Sequence, residues 1–315
     1  MGATKAGNQT SVTEFILLGF PSSPEIQILC FVVLLAIYIL TLATNSIIIM
    51  IVKVDSKLHS PMYFFLSNFA LLEICYITTT VPKMLSGFLT EKNIISYRQC
   101  ILQLCFFFTF GPTEVFLLVS MAYDRYIAIC YPLQYSTIMS SRLCKLLAVG
   151  SWASGFLTGG TLTVPITQVS FCKLNLINHF FCDYLPLLKL SCSDTTASEA
   201  AFFSLAWIVV VTTLILNIVS YCYILMTILR IPSTTGREKA FFTCASHLTV
   251  SMIFYVTVGF MYLRSTLKYS FDTDKIVSLF YSILTPLLNP LIYSLRNRDV
   301  IKALKRAWSK ITGNW

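Results

Sequence analysis

The sequence has few charged residues for its length. Of its 315 residues only 12% are charged, whereas 56% are hydrophobic, and the mean hydropathy is +0.74. Soluble domains carry about 25% charged residues, so this chain has too few to cover a water-exposed surface. Its apolar runs are long and continuous, unlike the roughly 10-residue alternating segments of a membrane barrel. The scarcity of charge therefore excludes a soluble domain and predicts an all-α membrane protein.

Signatures of catalysis and of metal binding are also missing. The sequence has three histidines, His59, His179 and His247, which the topology inferred below keeps far apart. No HExxH, GxSxG, Walker or CxxC pattern occurs, so an enzyme or a cysteine metal site is disfavoured. Clear internal repeats and a line of pore charges are absent too, which disfavours a transporter or a channel. The net charge of +9 fits basic residues beside membrane spans better than nucleic-acid binding.

Seven apolar runs are each long enough to cross a bilayer, which takes about 20 residues. They lie at residues 26–52, 60–88, 98–124, 143–168, 200–229, 239–263 and 273–295. We therefore expect an extracellular N-terminus (1–25), a seven-transmembrane helix bundle (26–295) and a cytoplasmic amphipathic helix and tail (296–315). In the last segment Val300, Leu304 and Trp308 recur at helical spacing, and the basic side of such a helix suits membrane lipid headgroups.

The basic residues predict the orientation. They are most numerous in the segments after the first, third, fifth and seventh runs, and this side faces the cytosol by the positive-inside rule. The N-terminus is then extracellular, where Asn8 of "NQT" can be glycosylated. Four cysteines, Cys100, Cys172, Cys182 and Cys192, also fall on the extracellular side, where disulfides persist. Four cysteines allow three pairings, between which these residues alone do not decide.

An acid and a base end the third run, in "VSMAYDRYIAICYPLQY" (119–135). Asp124 and Arg125 would lie at the cytosolic end of that span, where an arginine can reach the interface. From these residues alone, the pair is either an interface anchor or part of a functional element.

Five segments in order resemble one family, the olfactory receptors within the rhodopsin-like G-protein-coupled receptors. They are "PMYFFLSNFALLEICY" (61–76), "MAYDRYIAICYPLQY" (121–135), "HFFCDYLPLLKLSCSD" (179–194), "KAFFTCASHLTV" (239–250) and "PLLNPLIYSLRN" (286–297). Asn45 and Trp152 stand where the family has its first-helix Asn and its fourth-helix Trp. Three positions depart from common family patterns: Glu73 replaces the usual Asp, Phe242 replaces a commoner Ser, and Tyr255 replaces the Trp of most rhodopsin-like receptors, although it is the usual olfactory residue.

The resemblance implies a plasma-membrane, multi-pass receptor that activates a heterotrimeric G protein of the stimulatory olfactory type and raises cAMP. Arg125 would be restrained by Asp124 at rest and freed when the sixth helix swings outward. The residues implied in coupling are Asp124, Arg125, Tyr126, Tyr221, His247, Asn289, Pro290 and Tyr293.

Two further features follow only from the resemblance. The family pairs Cys100 with Cys182, which leaves Cys172 to pair with Cys192. Its sodium site would fall on Asn45, Glu73, Glu114 and Asn289, and a water-filled polar cluster without an ion remains the alternative. No other cofactor or metal is expected.

The implied ligand is a small, mostly apolar volatile odorant held within the bundle. Phe107, Phe108 and Gly111 share the inward side of the third helix. The full expected lining is Phe107, Phe108, Gly111, Leu205, Ala206, Val209, Tyr255, Val258, Gly259 and Tyr262. Its sparse polar groups fit a neutral ligand. A bioamine receptor would need an Asp near Phe107, and an opsin would need a Lys within the seventh helix beyond Lys275; the sequence has neither. A non-olfactory rhodopsin-like receptor for another small ligand, or less readily a transporter, remains the alternative.

Overall fold

The structure is a computed structural model, and it describes residues 12–19, 23–90, 92–171, 175–265, 275–276, 278–295 and 298–312. Its eight main helices are α1 (Pro24–Val54), α2 (Pro61–Leu89), α3 (Tyr97–Cys130), α4 (Ser141–Thr167), α5 (Thr196–Leu229), α6 (Thr234–Ser265), α7 (Thr285–Leu295, preceded by the π-helical turn Phe280–Leu284) and α8 (Arg298–Thr312). Short helical segments at Ser56–Leu58, Pro132–Gln134, Tyr135–Ile138 and Tyr184–Leu188 lie in the connections. The described part of each of the seven predicted spans falls on a helix, so the all-α membrane fold is confirmed.

The outer faces of the bundle are apolar. On α1, for example, Ile28 and Met50 are 66% and 64% exposed, which is costly in water but natural against lipid tails. Among the described residues, four helices (α1, α2, α3 and α5) are long and apolar enough to cross a membrane by length and composition. The exposed apolar faces therefore agree with the membrane class predicted from composition.

Helix α3 runs through the middle of the bundle. It begins with a capping box in which Ser96 and Gln99 satisfy each other's backbone N–H groups. It is longer than the predicted run 98–124, because it continues past Asp124 and Arg125 to Cys130. Both charged side chains are buried within the protein rather than exposed to lipid. The helix can therefore continue beyond the end of its apolar run.

Two glycines let α4 approach α3 closely. A Cβ atom added at Gly155 would lie 1.9 Å from Oγ1 of Thr113, and one added at Gly159 would lie 2.8 Å from the carbonyl oxygen of Cys105. Small residues four positions apart are a common device for packing helices in membranes. Here they fix the distance between α3 and its neighbour.

A small sheet covers one end of the bundle. Its strands are β1 (Glu14–Leu17), β2 (Ile94–Ser96) and β3 (Leu176–Ile177), in the order β2-β1-β3, with β1 antiparallel to β2 and parallel to β3. The disulfide between Cys100 and Cys182 joins α3 to the α4–α5 connection at the same end. We call this the disulfide end, and the opposite end, where α3 finishes at Cys130, the Arg125 end.

The last helix has one buried and one exposed side. Val300 and Ala303 are buried, whereas Lys302 and Lys305 are exposed. The guanidinium of Arg306 binds Oδ2 of Asp55, just beyond α1, through Nε at 3.0 Å and Nη2 at 2.6 Å. These hydrogen bonds from Arg306 lower the pKa of Asp55. The predicted amphipathic helix is therefore present and is tied to the α1–α2 connection.

Candidate functional site

A cavity of about 100 Å³ lies inside the bundle towards the disulfide end. Its wall is mostly aromatic and aliphatic, with contributions from α2 to α6, the α4–α5 connection and the residues around the π-helical turn. The aromatic rings are in mutual contact: the Phe107 centroid lies 5.3 Å from that of Tyr76 and 5.8 Å from that of Tyr281. At this volume the cavity is small beside the 300–1,000 Å³ typical of drug-sized ligand sites.

Six of the ten residues predicted to bind the ligand line this cavity: Phe107, Phe108, Gly111, Ala206, Val209 and Val258. Leu205, Tyr255 and Gly259 are not in the described lining. The side chain of Tyr262 lies outside the described residues. Tyr255 is buried, and its hydroxyl accepts a hydrogen bond of 3.0 Å from Nδ2 of Asn217. It therefore links α6 to α5.

The sequence reasoning missed a second set of lining residues. It includes Tyr76, Phe202, Phe203, Phe254 and Tyr281. Their aromatic character was visible in the sequence, but their direction was not, because apolar residues surround them on all faces of their helices. Only the packing of α2, α5, α6 and the π-helical turn around α3 points them inward.

The polar groups of the cavity wall are engaged within the protein. Oδ1 of Asp183 accepts a 2.8 Å hydrogen bond from the backbone N–H of Tyr184. The hydroxyl of Thr158 donates to the carbonyl oxygen of Ser154 at 2.8 Å, and Oγ of Ser278 accepts from Tyr281 at 3.2 Å. Asp183 is the one charged residue in the described lining, so the wall offers little to an ionic ligand.

The connection between α4 and α5 forms a fixed roof at the disulfide end. The side chain of Gln103 donates to the carbonyl oxygen of Thr79 at 2.8 Å and accepts from the backbone N–H of Cys182 at 2.9 Å. His179 in this roof is buried. Burial, with a contribution from the positive charge of Lys275, lowers the pKa of His179 to about 3, so its ring is neutral at physiological pH.

The opposite end holds a buried ion pair. Arg125 binds Oδ2 of Asp124 through Nε at 3.1 Å and Nη2 at 2.5 Å. The hydroxyl of Tyr135 donates to Oδ1 of the same carboxylate at 2.7 Å. Burial, followed by the negative charge of Asp124, raises the pKa of Tyr135, so the hydroxyl keeps its proton and remains a donor. The sequence reasoning did not assign this role to Tyr135.

The other predicted coupling residues surround this pair to different degrees. Tyr221 and His247 are both buried, and both lie within electrostatic range of the Arg125 guanidinium. Tyr126 points elsewhere, with its ring packed on Tyr131 and Tyr223. Asn289 and Pro290 lie within α7, and the side chain of Tyr293 is outside the described residues.

A buried polar cluster lies between the two ends. Nδ2 of Asn289 donates to Oε1 of Glu73 and, at 3.3 Å, to Oε1 of Glu114. Asn45 does not join these carboxyl groups directly, since its Nδ2 donates to the carbonyl oxygens of Thr41 and Pro286 at 3.0 and 3.4 Å. Oε2 of Glu73 and Oδ1 of Asn289 have no hydrogen-bond partner among the described residues. Oxygen atoms of this kind suit a hard cation, so the residues fit a cation site, although they fit a hydrated or protonated cluster too.

The remaining predicted sites lie partly outside the description. The expected pairing of Cys100 with Cys182 is confirmed. Cys192 is disulfide-bonded, while its expected partner Cys172 lies outside the described residues, as does Asn8. Ser170 and Phe171, just before Cys172, contact the segment around Cys192: the backbone N–H of Cys192 donates to Ser170 O at 3.0 Å, and Phe171 forms a β-bridge with Ser191.

Comparisons with known proteins give one consistent result. A family model described as "Olfactory receptor" matches residues 34–310. The chain is 48% identical over 302 residues to Olfactory receptor 6F1 of Homo sapiens, covering 96% of this chain and 98% of that protein. It is 47% identical over 312 residues to Olfactory receptor 5P76 of Mus musculus, covering 99% of each. It is also 49% identical over 299 residues to Olfactory receptor 6Y1 of Homo sapiens, covering 95% of this chain and 92% of that protein.

Proposed function

The chain belongs to the olfactory receptor family, and on this premise we propose that its cavity binds small, neutral, mostly apolar volatiles and that its Arg125 end activates a heterotrimeric G protein. The family consists of multi-pass plasma-membrane receptors rather than enzymes, which confirms the predicted class. The proposal adds the ligand chemistry, the coupling to a stimulatory olfactory G protein with a rise in cAMP, and the residues involved.

The aromatic cavity is the observation that carries the ligand proposal. Rings from α2, α3 and α5 offer apolar surface to a ligand, and the polar groups of the wall already have partners. A charged ligand would lose hydration without gaining an opposite charge, apart from Asp183. A neutral alcohol, ester, aldehyde or ketone loses less hydration free energy when it enters the cavity. Because the cavity measures about 100 Å³, larger ligands must move side chains to enter. For a ligand of about ten heavy atoms we expect an affinity in the micromolar-to-millimolar range or weaker.

A volatile panel with a cAMP reporter tests this proposal, followed by matched variants of α3. Phe107 lines the cavity, whereas Phe106, next to it, is 41% exposed on the outer face. We expect Phe107→Ala to raise the half-maximal concentration about tenfold or more and Phe106→Ala to leave it unchanged at equal surface level.

Gly111 allows a complementary test. It lines the cavity, and an added Cβ would meet nothing within 4 Å. Gly111→Leu should therefore fill the space without disturbing the helix and abolish responses to the larger agonists first. Charged amines or peptides as best agonists, or unshifted responses in both Phe107→Ala and Gly111→Leu, would contradict the proposed pocket.

The Arg125 end would face the cytosol and the N-terminus would face outside. The positive-inside pattern supports this orientation, and so does the disulfide at the opposite end, since disulfides persist on the extracellular side. The test is removal of N-glycans from the wild type and from Asn8→Gln. A wild-type band that does not shift on a gel would contradict the orientation or the glycosylation site.

Docking of the G protein would use apolar surface near the ion pair. Leu133, in the turn that follows α3, is 96% exposed beside the 45% exposed Tyr131, and the two side chains together offer apolar surface that a docked partner would bury. Leu133 lies two residues before Tyr135, whose hydroxyl binds Asp124. A partner that covers Leu133 would therefore act on the segment that restrains the ion pair.

The buried cluster of Glu73, Glu114 and Asn289 would hold a sodium ion in the resting receptor, with Asn45 supporting α7 beside it. Such an ion would balance the charge of one carboxylate, with the other carboxyl group protonated, and would link α2, α3 and α7. Replacing sodium by choline in the assay buffer should then increase agonist potency in the wild type but not in Glu73→Gln. Equal potency in both buffers would favour the cluster without an ion.

A further inference from the structure

The Arg125 end contains a second cavity, separate from the ion pair. It measures about 490 Å³ and lies between the end of α1, the start of α2 and the start of α4. This volume is within the range of ordinary small-ligand sites, roughly 300–1,000 Å³. The cavity is partly open at the surface, and the ligand and coupling roles described above do not use it.

The side chains with ionisable nitrogen or carboxyl groups that line this cavity are all basic. They are Lys53 at the end of α1, His59 in the α1–α2 connection and Lys145 in the first turns of α4. The lysines form no ion pair with any described residue, and the described lining contains no acid. The nearest acid in the sequence, Asp55, is held by Arg306. The cavity thus carries uncompensated positive charge.

The backbone adds to this charge. Pro61, the first residue of α2, and Ser141, the first residue of α4, both line the cavity. The positive ends of two helix dipoles therefore lie at the same place as the basic side chains. The hydroxyl of Ser60, which precedes α2, makes no capping hydrogen bond within that helix and is available to a ligand. The arrangement favours an anion with several oxygen atoms.

The surroundings select an amphiphilic anion. Apolar side chains such as Val52 and Phe64 form part of the lining, and next to it Val54, Leu146 and Val149 are 74%, 65% and 65% exposed. Apolar surface beside a basic cavity matches a lipid whose headgroup enters the cavity while its chains lie against α1 and α4.

We propose that this cavity binds the phosphorylated headgroup of an anionic phospholipid of the cytoplasmic leaflet. The inference rests on the orientation proposed above, in which the Arg125 end is cytosolic. A lipid bound there would bridge α1, α2 and α4 and leave the Arg125 ion pair accessible. It would thereby stabilise the packing of α1, α2 and α4 at the Arg125 end without contacting α6.

The test measures binding to purified receptor in phosphatidylcholine nanodiscs, where both faces of the bilayer are accessible and orientation in the cell has no influence. The probe is fluorescent phosphatidylinositol 4,5-bisphosphate, and the competitors are the same lipid without its label and soluble inositol 1,4,5-trisphosphate. The Lys53→Gln/Lys145→Gln double variant removes two cavity charges. Arg230→Gln/Arg237→Gln removes two charges at the same end outside the described lining, as a matched control.

We expect Lys53→Gln/Lys145→Gln to bind the lipid about thirty-fold more weakly than the wild type, because each lysine near a membrane surface contributes about fivefold in affinity. The arginine control should stay within a few-fold of the wild type. An equal loss in both variants, or no saturable binding, would overturn the site. Inositol trisphosphate that competes as well as unlabelled phosphatidylinositol 4,5-bisphosphate would reassign the cavity to a soluble anion and overturn the lipid proposal.

A separate measurement keeps this result distinct from the receptor function. The odorant response is assayed in cells with the same variants, and the thermal unfolding of each purified variant is compared with the wild type. If Lys53→Gln/Lys145→Gln unfolds at a lower temperature than the wild type, lipid binding is also measured for Lys53→Arg/Lys145→Arg. This variant keeps both positive charges and should restore binding. Failure of that variant to restore binding in a folded receptor would overturn the charge-based account.

Discussion

The two ends of the bundle are held by different kinds of interaction. At the disulfide end, a covalent bond between Cys100 and Cys182, a three-stranded sheet and the hydrogen bonds of Gln103 fix the loops over the cavity. At the Arg125 end, the described restraints are side-chain contacts: Arg125 and Tyr135 on Asp124, and Arg306 on Asp55. Side-chain contacts can be exchanged for others, whereas a disulfide cannot under extracellular conditions.

This difference suggests that one end maintains the ligand cavity and the other end switches between two arrangements. A fixed end can keep the shape of a ligand cavity, which limits the ordering cost of binding. An end that is held by exchangeable contacts can populate two arrangements, and a ligand can shift their populations only through differential affinity. We therefore expect substitutions at the disulfide end to reduce the amount of folded receptor at the cell surface. Substitutions at the Arg125 end should instead change the receptor's cAMP response.

The largest effect is expected at the disulfide end. Cys182→Ser should remove nearly all surface receptor, because losing a native disulfide costs about 2–5 kcal/mol. Surface labelling of intact cells measures this. The control is Cys105→Ser, which replaces a free cysteine on α3. Normal surface level and normal odorant response in Cys182→Ser would show that the disulfide end does not need its covalent restraint.

At the other end, Arg125→Ala should abolish the cAMP response while leaving most of the receptor at the surface. Arg142→Ala is the matched control, since Arg142 is exposed at the start of α4 and forms no ion pair with a described residue. Surface level and cAMP are measured in the same cells. A normal response in Arg125→Ala would reduce the ion pair to an interface anchor.

A smaller effect is expected from Tyr135→Phe. This variant removes the hydroxyl that donates to Asp124, and hydrogen bonds to charged groups contribute about 1.5–3 kcal/mol. Basal cAMP should rise several-fold without agonist, because Arg125 is then less restrained. Tyr131→Phe, at a half-exposed neighbouring tyrosine, should have no such effect. Unchanged basal cAMP in Tyr135→Phe would separate this hydroxyl from the switch.

Much of the fold could be predicted from the sequence because membrane spans are local features. A run of apolar residues forms a helix in lipid wherever it occurs, since its backbone groups need internal partners. The small sheet was not predicted. Its first strand, Glu14–Leu17, pairs with residues 94–96 and 176–177. Such non-local pairing leaves no periodic signal in so short a segment.

The site was predicted only in part for a related reason. Phe107, Phe108 and Gly111 could be placed by helical spacing on one helix, whereas Tyr76 and Phe202 reach the cavity from α2 and α5. Their orientation depends on how helices pack, including the close approach of α3 and α4 at Gly155 and Gly159. The role of Tyr135 depends on the turn after α3, which returns its hydroxyl to Asp124.

The most direct test of the central claim measures two distances in one receptor preparation. Spin labels at 142 and 237 report on α4 and α6 at the Arg125 end, and labels at 98 and 197 report on α3 and α5 at the disulfide end. We predict that a saturating agonist lengthens the first distance by several ångströms and leaves the second unchanged. An agonist that raises cAMP but changes both distances equally, or changes neither, would contradict a fixed ligand end coupled to a switchable Arg125 end.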